Sequence, residues 1–114
     1  MSITYKIQGL DAFLSTVQDK PVKAQQAVRA ELNRAALRVE KSAKEFAPWD
    51  TGTLINNIYS TQLGSLLFGV ISPMNYSIYV ELGTRKMAAQ PFMYPAVQLE
   101  APRVLGNLRK MFGE

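Results

Sequence analysis

The chain has no cysteine and no histidine. The first absence excludes a disulfide framework and thiolate chemistry. The second removes the commonest metal ligand and the commonest general base near neutral pH. Acidic side chains are scarce as well, nine Asp and Glu against thirteen Lys and Arg, and they are scattered. Catalysis would have to use carboxylate pairs, Lys, Tyr or Ser, and the chain has little with which to build such a centre. These absences predict a protein that is not an enzyme, with no catalytic, cofactor-binding or metal-binding residues and no cofactor. No apolar run approaches the roughly 18 residues needed to cross a bilayer. The opening MSITYKIQGL also lacks the apolar stretch of a secretory signal. The expectation is a cytosolic product with no membrane partner.

What is present is ordinary for a folded chain. At 114 residues, 47% hydrophobic and 19% charged, the sequence has apolar material for a single core and too little charge to hold itself open. One domain over residues 1–114 is expected. The net charge of +4 permits weak attraction to nucleic acid without demanding it.

Ile3, Tyr5 and Ile7 alternate with Thr4, Lys6 and Gln8 up to Gly9, the period of a strand with one buried face. Asp11 then stands where it can cap a short helix through Ala12, Phe13, Leu14 and Val17. From Pro21 to Phe46, Val28, Leu32, Ala35, Val39, Ala43 and Phe46 recur at four and three, which predicts a long amphipathic helix with Lys23, Arg34, Arg38 and Lys41 opposite the apolar stripe. Pro48 ends it. Such a helix would be roughly 39 Å long at 1.5 Å per residue, longer than a compact domain of this size. Part of it is therefore expected to overhang.

Residues 47–54, APWDTGTL, read as a loop around the single tryptophan, Trp49. Two strands, Ile58 to Leu63 and Leu66 to Ser72, are predicted to meet at Gly64-Ser65. The second is apolar on both faces, so it is either central in its sheet or covered by a neighbouring chain. Asn75 can cap a short helix through Val80, with Gly83 as its stop. Thr84 to Pro91 reads as an exposed loop, and Pro95 opens a last helix that Pro102 should kink or split. The fold class is α+β: one long helix packed on a small antiparallel sheet, with a helical C-terminal segment.

Three features invite a functional reading. Asp50-Thr51-Gly52 is the triplet of aspartic proteases, which makes a small homodimeric protease using Asp50 one alternative. The triplet follows a helix rather than an apolar strand, however, and a turn in which Asp50 accepts backbone N–H bonds accounts for it. Arg34, Arg38 and Lys41 at helical spacing offer a second alternative, a basic nucleic-acid-binding protein, but Glu31 and Glu45 interrupt that face. Third, Tyr76, Tyr79, Phe92, Met93 and Tyr94 flank the loop that carries Arg85, Lys86, Met87 and Gln90. These are residue types enriched in protein interfaces, and with Trp49 they are the candidate contact residues. Glu81, the one acid nearby, reads as a salt-bridge partner.

Three blocks together carry a resemblance: Ala47-Pro48-x-Asp50-Thr51-Gly52-x-Leu54, Tyr76-x-x-Tyr79-Val80-Glu81-x-Gly83-Thr84, and Gln90-Pro91-Phe92-Met93-x-Pro95-Ala96. In this order after a long Ala-rich helix, they resemble the tail-component family of long-tailed phages and prophages named after gene product ten of a lambdoid coliphage, over nearly the whole chain. The resemblance implies a non-catalytic virion protein of the neck, acting in head-to-tail joining or tail completion. It also implies a homo-oligomeric ring between head-closure or connector proteins and the tail tube or tail terminator protein, close to phage DNA in the channel. Assembly would take place in the host cytoplasm.

Overall fold

The computed structural model describes residues 4–48 and 52–113. Its elements run α1 Leu10–Val17, α2 Val22–Phe46, α3 Gly52–Asn57, β1 Tyr59–Gly64, β2 Leu67–Ile71, α4 Ser77–Leu82 and α5 Met93–Met111. The fold is α+β, with two antiparallel strands laid on a long helix and a helical C-terminus.

Helix α2 is the spine. It runs antiparallel to α5, because Arg38 meets Glu100 and Glu31 meets Asn107, seven residues on along each helix. Two apolar clusters form along it. Val28, Leu32 and Ala35 join Val17, Val104 and Leu108 toward one end. Val39 and Ala43 join Ala47, Leu54, Ile58, Val80, Phe92 and Ala96 toward the other. The stripe read from the sequence is thus the buried face, although Phe46 at its end is half exposed. The predicted overhang is not found. The molecule measures 51 × 24 × 20 Å, and buried positions extend along α2 from Val28 to Ala43. The fold elongates to match its helix.

Polar groups are buried beside this seam. Glu31, 2% exposed, accepts from Arg38 at 2.9 Å, Asn107 at 3.0 Å and Arg34 at 3.3 Å, and Arg38 also donates to Glu100 at 3.1 Å. Burial alone would raise the Glu31 carboxyl, but these hydrogen bonds and the Arg38 charge outweigh it and hold it below its ordinary value. Among the described residues, every buried side-chain N or O has a partner, so α2 and α5 are joined with no uncompensated polar atom. Arg38 is therefore not on the outer basic face expected of it.

Several local expectations are corrected. Residues 4–7 form no strand; Tyr5 and Ile7 pack individually, Tyr5 onto Glu81 and Ile7 onto a core cluster, and the sheet among the described residues has only β1 and β2. Ile3 lies outside the described residues. Gly9, at φ 85°, precedes α1 in place of an Asp11 cap, since Asp11 is already in the first turn. Pro21 is the cap of α2 rather than its first residue, and Tyr76 rather than Asn75 precedes α4. The β1–β2 turn falls at Ser65-Leu66, after an irregularity between Gln62 and Gly64, and Arg29 holds Ser65 through Oγ and the carbonyl. With only two strands among the described residues, β2 is an edge and not a central strand. Pro102 lies within α5 without splitting it. It is on an exposed face, where water can reach the Gln98 carbonyl it leaves without a donor.

Removing a charge from the seam should be costly, because it strands its partners. Glu31→Ala should lose about 3 kcal/mol in a denaturant titration, whereas Arg34→Ala, at a mostly exposed side chain, should lose less than about 1 kcal/mol. Since the folded carboxyl titrates below the ordinary 4.5, its contribution is present above that pH and is lost as the pH falls through the folded value. The difference between wild type and Glu31→Gln should narrow accordingly in acid.

Candidate assembly interface

The corner between α4 and α5 is organised by one carboxylate. Glu81 sits in the last turn of α4 and is 6% exposed. Its Oε1 accepts from the backbone N–H of Phe92 at 3.0 Å and of Met93 at 2.9 Å, and its Oε2 from Tyr94 N–H at 3.1 Å. Three of the donors that the start of a helix leaves without partners are thus satisfied by a charge that the helix dipole also favours. The same Oε2 accepts from the Tyr5 hydroxyl at 3.0 Å. Burial, reinforced by that carboxylate, pushes the Tyr5 phenol up to about 12, and the Tyr5 ring meets Tyr94 edge-on with centroids 5.3 Å apart. Glu81 makes a cap and not the salt bridge expected of it.

With α5 capped in this way, the helix starts at Met93, and Pro95 falls in its first turn, where no backbone donor is required. The intervening loop is closed at both ends. Gly83 ends α4 at φ 80°, and a Cβ there would stand 2.7 Å from the Ala89 nitrogen and 3.0 Å from the Met87 oxygen, so glycine is required both for conformation and for space. Thr84 N–H donates to Met87 O at 2.8 Å, the Thr84 hydroxyl accepts from the Lys86 and Met87 amides, and Gln90 N–H donates to Val80 O at 2.8 Å. The expected loop from Thr84 to Pro91 is exposed throughout, yet its backbone is anchored.

The candidate contact residues divide at this corner. Tyr79 and Tyr94 are about half exposed, and Arg85, Lys86, Met87 and Gln90 project from the loop. Met93 and Tyr76 are half-buried against the nearer core cluster, and Phe92 lies inside it at 1% exposure. Phe92 anchors the corner without offering surface of its own. Trp49, like Asp50 and Thr51, lies outside the described residues. Leu82, unremarked in the sequence, is also exposed here, one helical turn from Tyr79.

A family model described as "Bacteriophage HK97-gp10, putative tail-component" matches residues 9–83, well over half of the chain. The chain belongs to this HK97-gp10-like family. It is a phage tail component by family, as its motif blocks imply. No curated protein and no solved structure matches the chain. The HK97-gp10-like match takes in the Asp50 block and the Tyr76 block up to Gly83. The Gln90 to Ala96 block falls beyond it, so the resemblance covers less of the chain than the motifs alone imply.

Other surfaces of the HK97-gp10-like chain look less like sites. A groove of about 450 Å³ between α2 and β1 is lined by Gln26, Asn33, Ser60, Gln62 and Phe68. Arg29, its one charged lining residue, is engaged by Ser65. Among the described residues no cluster of acids could hold a metal ion, and no helix is long and apolar enough to cross a membrane.

Replacing Glu81 by Ala should expose the importance of the corner. Losing three amide bonds and one hydroxyl bond to a buried carboxylate should cost about 3 kcal/mol, measured by denaturant titration, with Glu81→Gln recovering part of the loss because its amide oxygen still accepts. A loss under about 1 kcal/mol for Glu81→Ala would show that the start of α5 does not depend on this cap.

Proposed function

We propose that the chain is a structural virion subunit, without catalytic activity, that forms a ring at the head-tail interface of a long-tailed phage or prophage and serves head-to-tail joining or tail completion. The observation that carries this reading is the family match over residues 9–83. The α4–α5 corner supplies the means. An exposed loop whose backbone is already ordered loses little entropy on docking, and its Arg85, Lys86 and Met87, between Tyr79 and Tyr94, are of the kinds that dominate interface energies. The paired helices α2 and α5 serve as the body, and the corner clasps the neighbouring head-closure or connector proteins on one side, or the tail tube or terminator on the other. In a closed ring each such contact repeats around the axis, so modest contacts sum to a stable joint.

The nucleic-acid reading is weakened by where the basic residues lie. Arg38 and Arg34 are paired with Glu31, which leaves that face of α2 less positive than its composition implies. Any DNA in the channel is met without sequence-specific contacts.

The test removes side chains and leaves the backbone. Deleting residues 85–90 would also cut the Gln90 to Val80 bond, so Arg85→Ala, Lys86→Ala and Met87→Ala together are cleaner. The triple variant should melt within about 0.5 kcal/mol of wild type yet reduce complementation of a phage lacking the protein by tenfold or more, as expected if each side chain is worth about 1 kcal/mol at an interface. Full infectivity would refute the role of the loop.

A further inference from the structure

A second groove, of about 440 Å³, lies between α1 and the β1–β2 turn, with Leu14, Leu66 and Leu67 among its walls. Leu67 is 56% exposed. Among the described residues Asp11 is the one charge lining the groove, and no hydrogen bond or ion pair engages its side chain. Arg29 stands nearby but is held on Ser65, and the Gln25 side-chain amide is taken by the Gln18 and Lys20 carbonyls. Asp19 and Glu45 are also exposed acids, but each has a lysine next to it in sequence, whereas Asp11 has no Lys or Arg within four residues. The groove therefore offers one uncompensated negative charge beside an apolar wall.

Such a groove suits a segment that brings a cation together with an apolar side chain, and it disfavours an anionic partner. The sequence has Arg-Lys-Met twice, at 85–87 and at 109–111. The second ends α5, where its cations complement the helix dipole. The first projects from the anchored loop of the α4–α5 corner. There Arg85 and Lys86 are exposed without an ion pair, and Met87 is 37% exposed. Loop and groove stand at different levels of the molecule. The groove is beside Arg29, through Ser65, and the corner is beside Ala43, through the cluster that holds Phe92. Those two positions are roughly 21 Å apart along α2. A loop anchored at both ends does not reach the groove of its own chain, so its complement must come from another copy. Two copies at +4 repel at long range, but beyond about 8 Å physiological salt screens those charges. The pairs in contact, of opposite sign, then decide.

We propose that the Arg85-Lys86-Met87 loop of one copy seats in the Asp11 groove of the next, with a loop cation against the Asp11 carboxylate and Met87 on Leu14, Leu66 and Leu67. Loop and groove are different surfaces, so the contact is head-to-tail. Each copy gives one loop and receives one, and such a contact closes into a ring where the rotation allows it. The contact deepens the homo-oligomeric part of the function proposed above and rests on it. It leaves Tyr79, Leu82 and Tyr94, exposed at the same corner, for the head or tail protein.

The full-length protein should be weighed in solution by sedimentation across a range of concentrations, with circular dichroism to verify folding. The set is wild type, Asp11→Lys, Arg85→Glu/Lys86→Glu, all three substitutions combined, and the control Arg109→Glu/Lys110→Glu, which makes the same charge change at the other Arg-Lys-Met. Wild type and control should associate alike. Asp11→Lys and the loop variant should each weaken association by about tenfold or more, because like charges then meet, and the combination should restore it, because opposite charges meet again. Should Asp11→Lys unfold the chain, Asp11→Asn takes its place and, combined with the loop variant, should recover part of the loss by removing the like charge. A control that dissociates equally, or a combination that recovers nothing, overturns the contact while the ring reading stands. A wild type that stays at the 12.7 kDa monomer at every concentration overturns it as well, and complementation by the alanine variant of the loop then decides the joining role separately.

Discussion

A buried carboxylate facing a helix start is the constraint on which the α4–α5 corner of this molecule depends. Glu81 is almost fully buried, and an ionised group there is tolerated only with full compensation. Three amides of α5 and the Tyr5 hydroxyl provide it. In return the carboxylate sets where α5 begins, how α4 meets it, and where the N-terminal segment lies. Phe92 enters the core because its amide is held, and the loop from Thr84 to Pro91 must span the short gap between two fixed ends. A loop that is exposed yet anchored at both ends follows from that closure.

A second buried acid sets the body in the same way. Glu31 binds Arg38 and Asn107, and Arg38 binds Glu100, so α2 and α5 can satisfy these groups in one register. Sliding either helix by a turn would break this network and leave charges unpaired, while the Ala-rich apolar stripe alone would tolerate the shift more readily. The two apolar clusters supply the bulk of the driving force, and the polar groups between the helices select one arrangement of them. Outside these two nodes, the loop from Thr84 to Pro91 stays exposed.

Much of the architecture was legible because it depends on local signals. The three-four spacing from Val28 to Ala43 defines α2, Gly83 marks the end of α4, and the apolar run through Phe68 marks β2. What was missed depends on residues far apart in sequence. Glu81 lies 11 to 13 residues before the amides it caps and 76 from Tyr5, and nothing in the residues near position 81 announces either partner. Arg38 looked like part of a solvated basic face because its partner Glu100 is 62 residues away. Ile3, Tyr5 and Ile7 alternate like a strand, yet no third strand is present among the described residues, and Tyr5 is used for a hydroxyl and a ring contact instead. Type and clustering make these residues contact candidates, but only the fold separates Phe92, which is buried, from Tyr79, Met87 and Tyr94, which are exposed.

The most direct measurement is amide hydrogen exchange at Phe92, Met93 and Tyr94 in the wild-type protein, with Arg85 in the same loop region as internal reference. If Glu81 holds the corner, the three amides exchange only through global unfolding, orders of magnitude more slowly than Arg85. Exchange of all four at similar fast rates would contradict it, because the loop would then have no fixed frame from which to present its side chains.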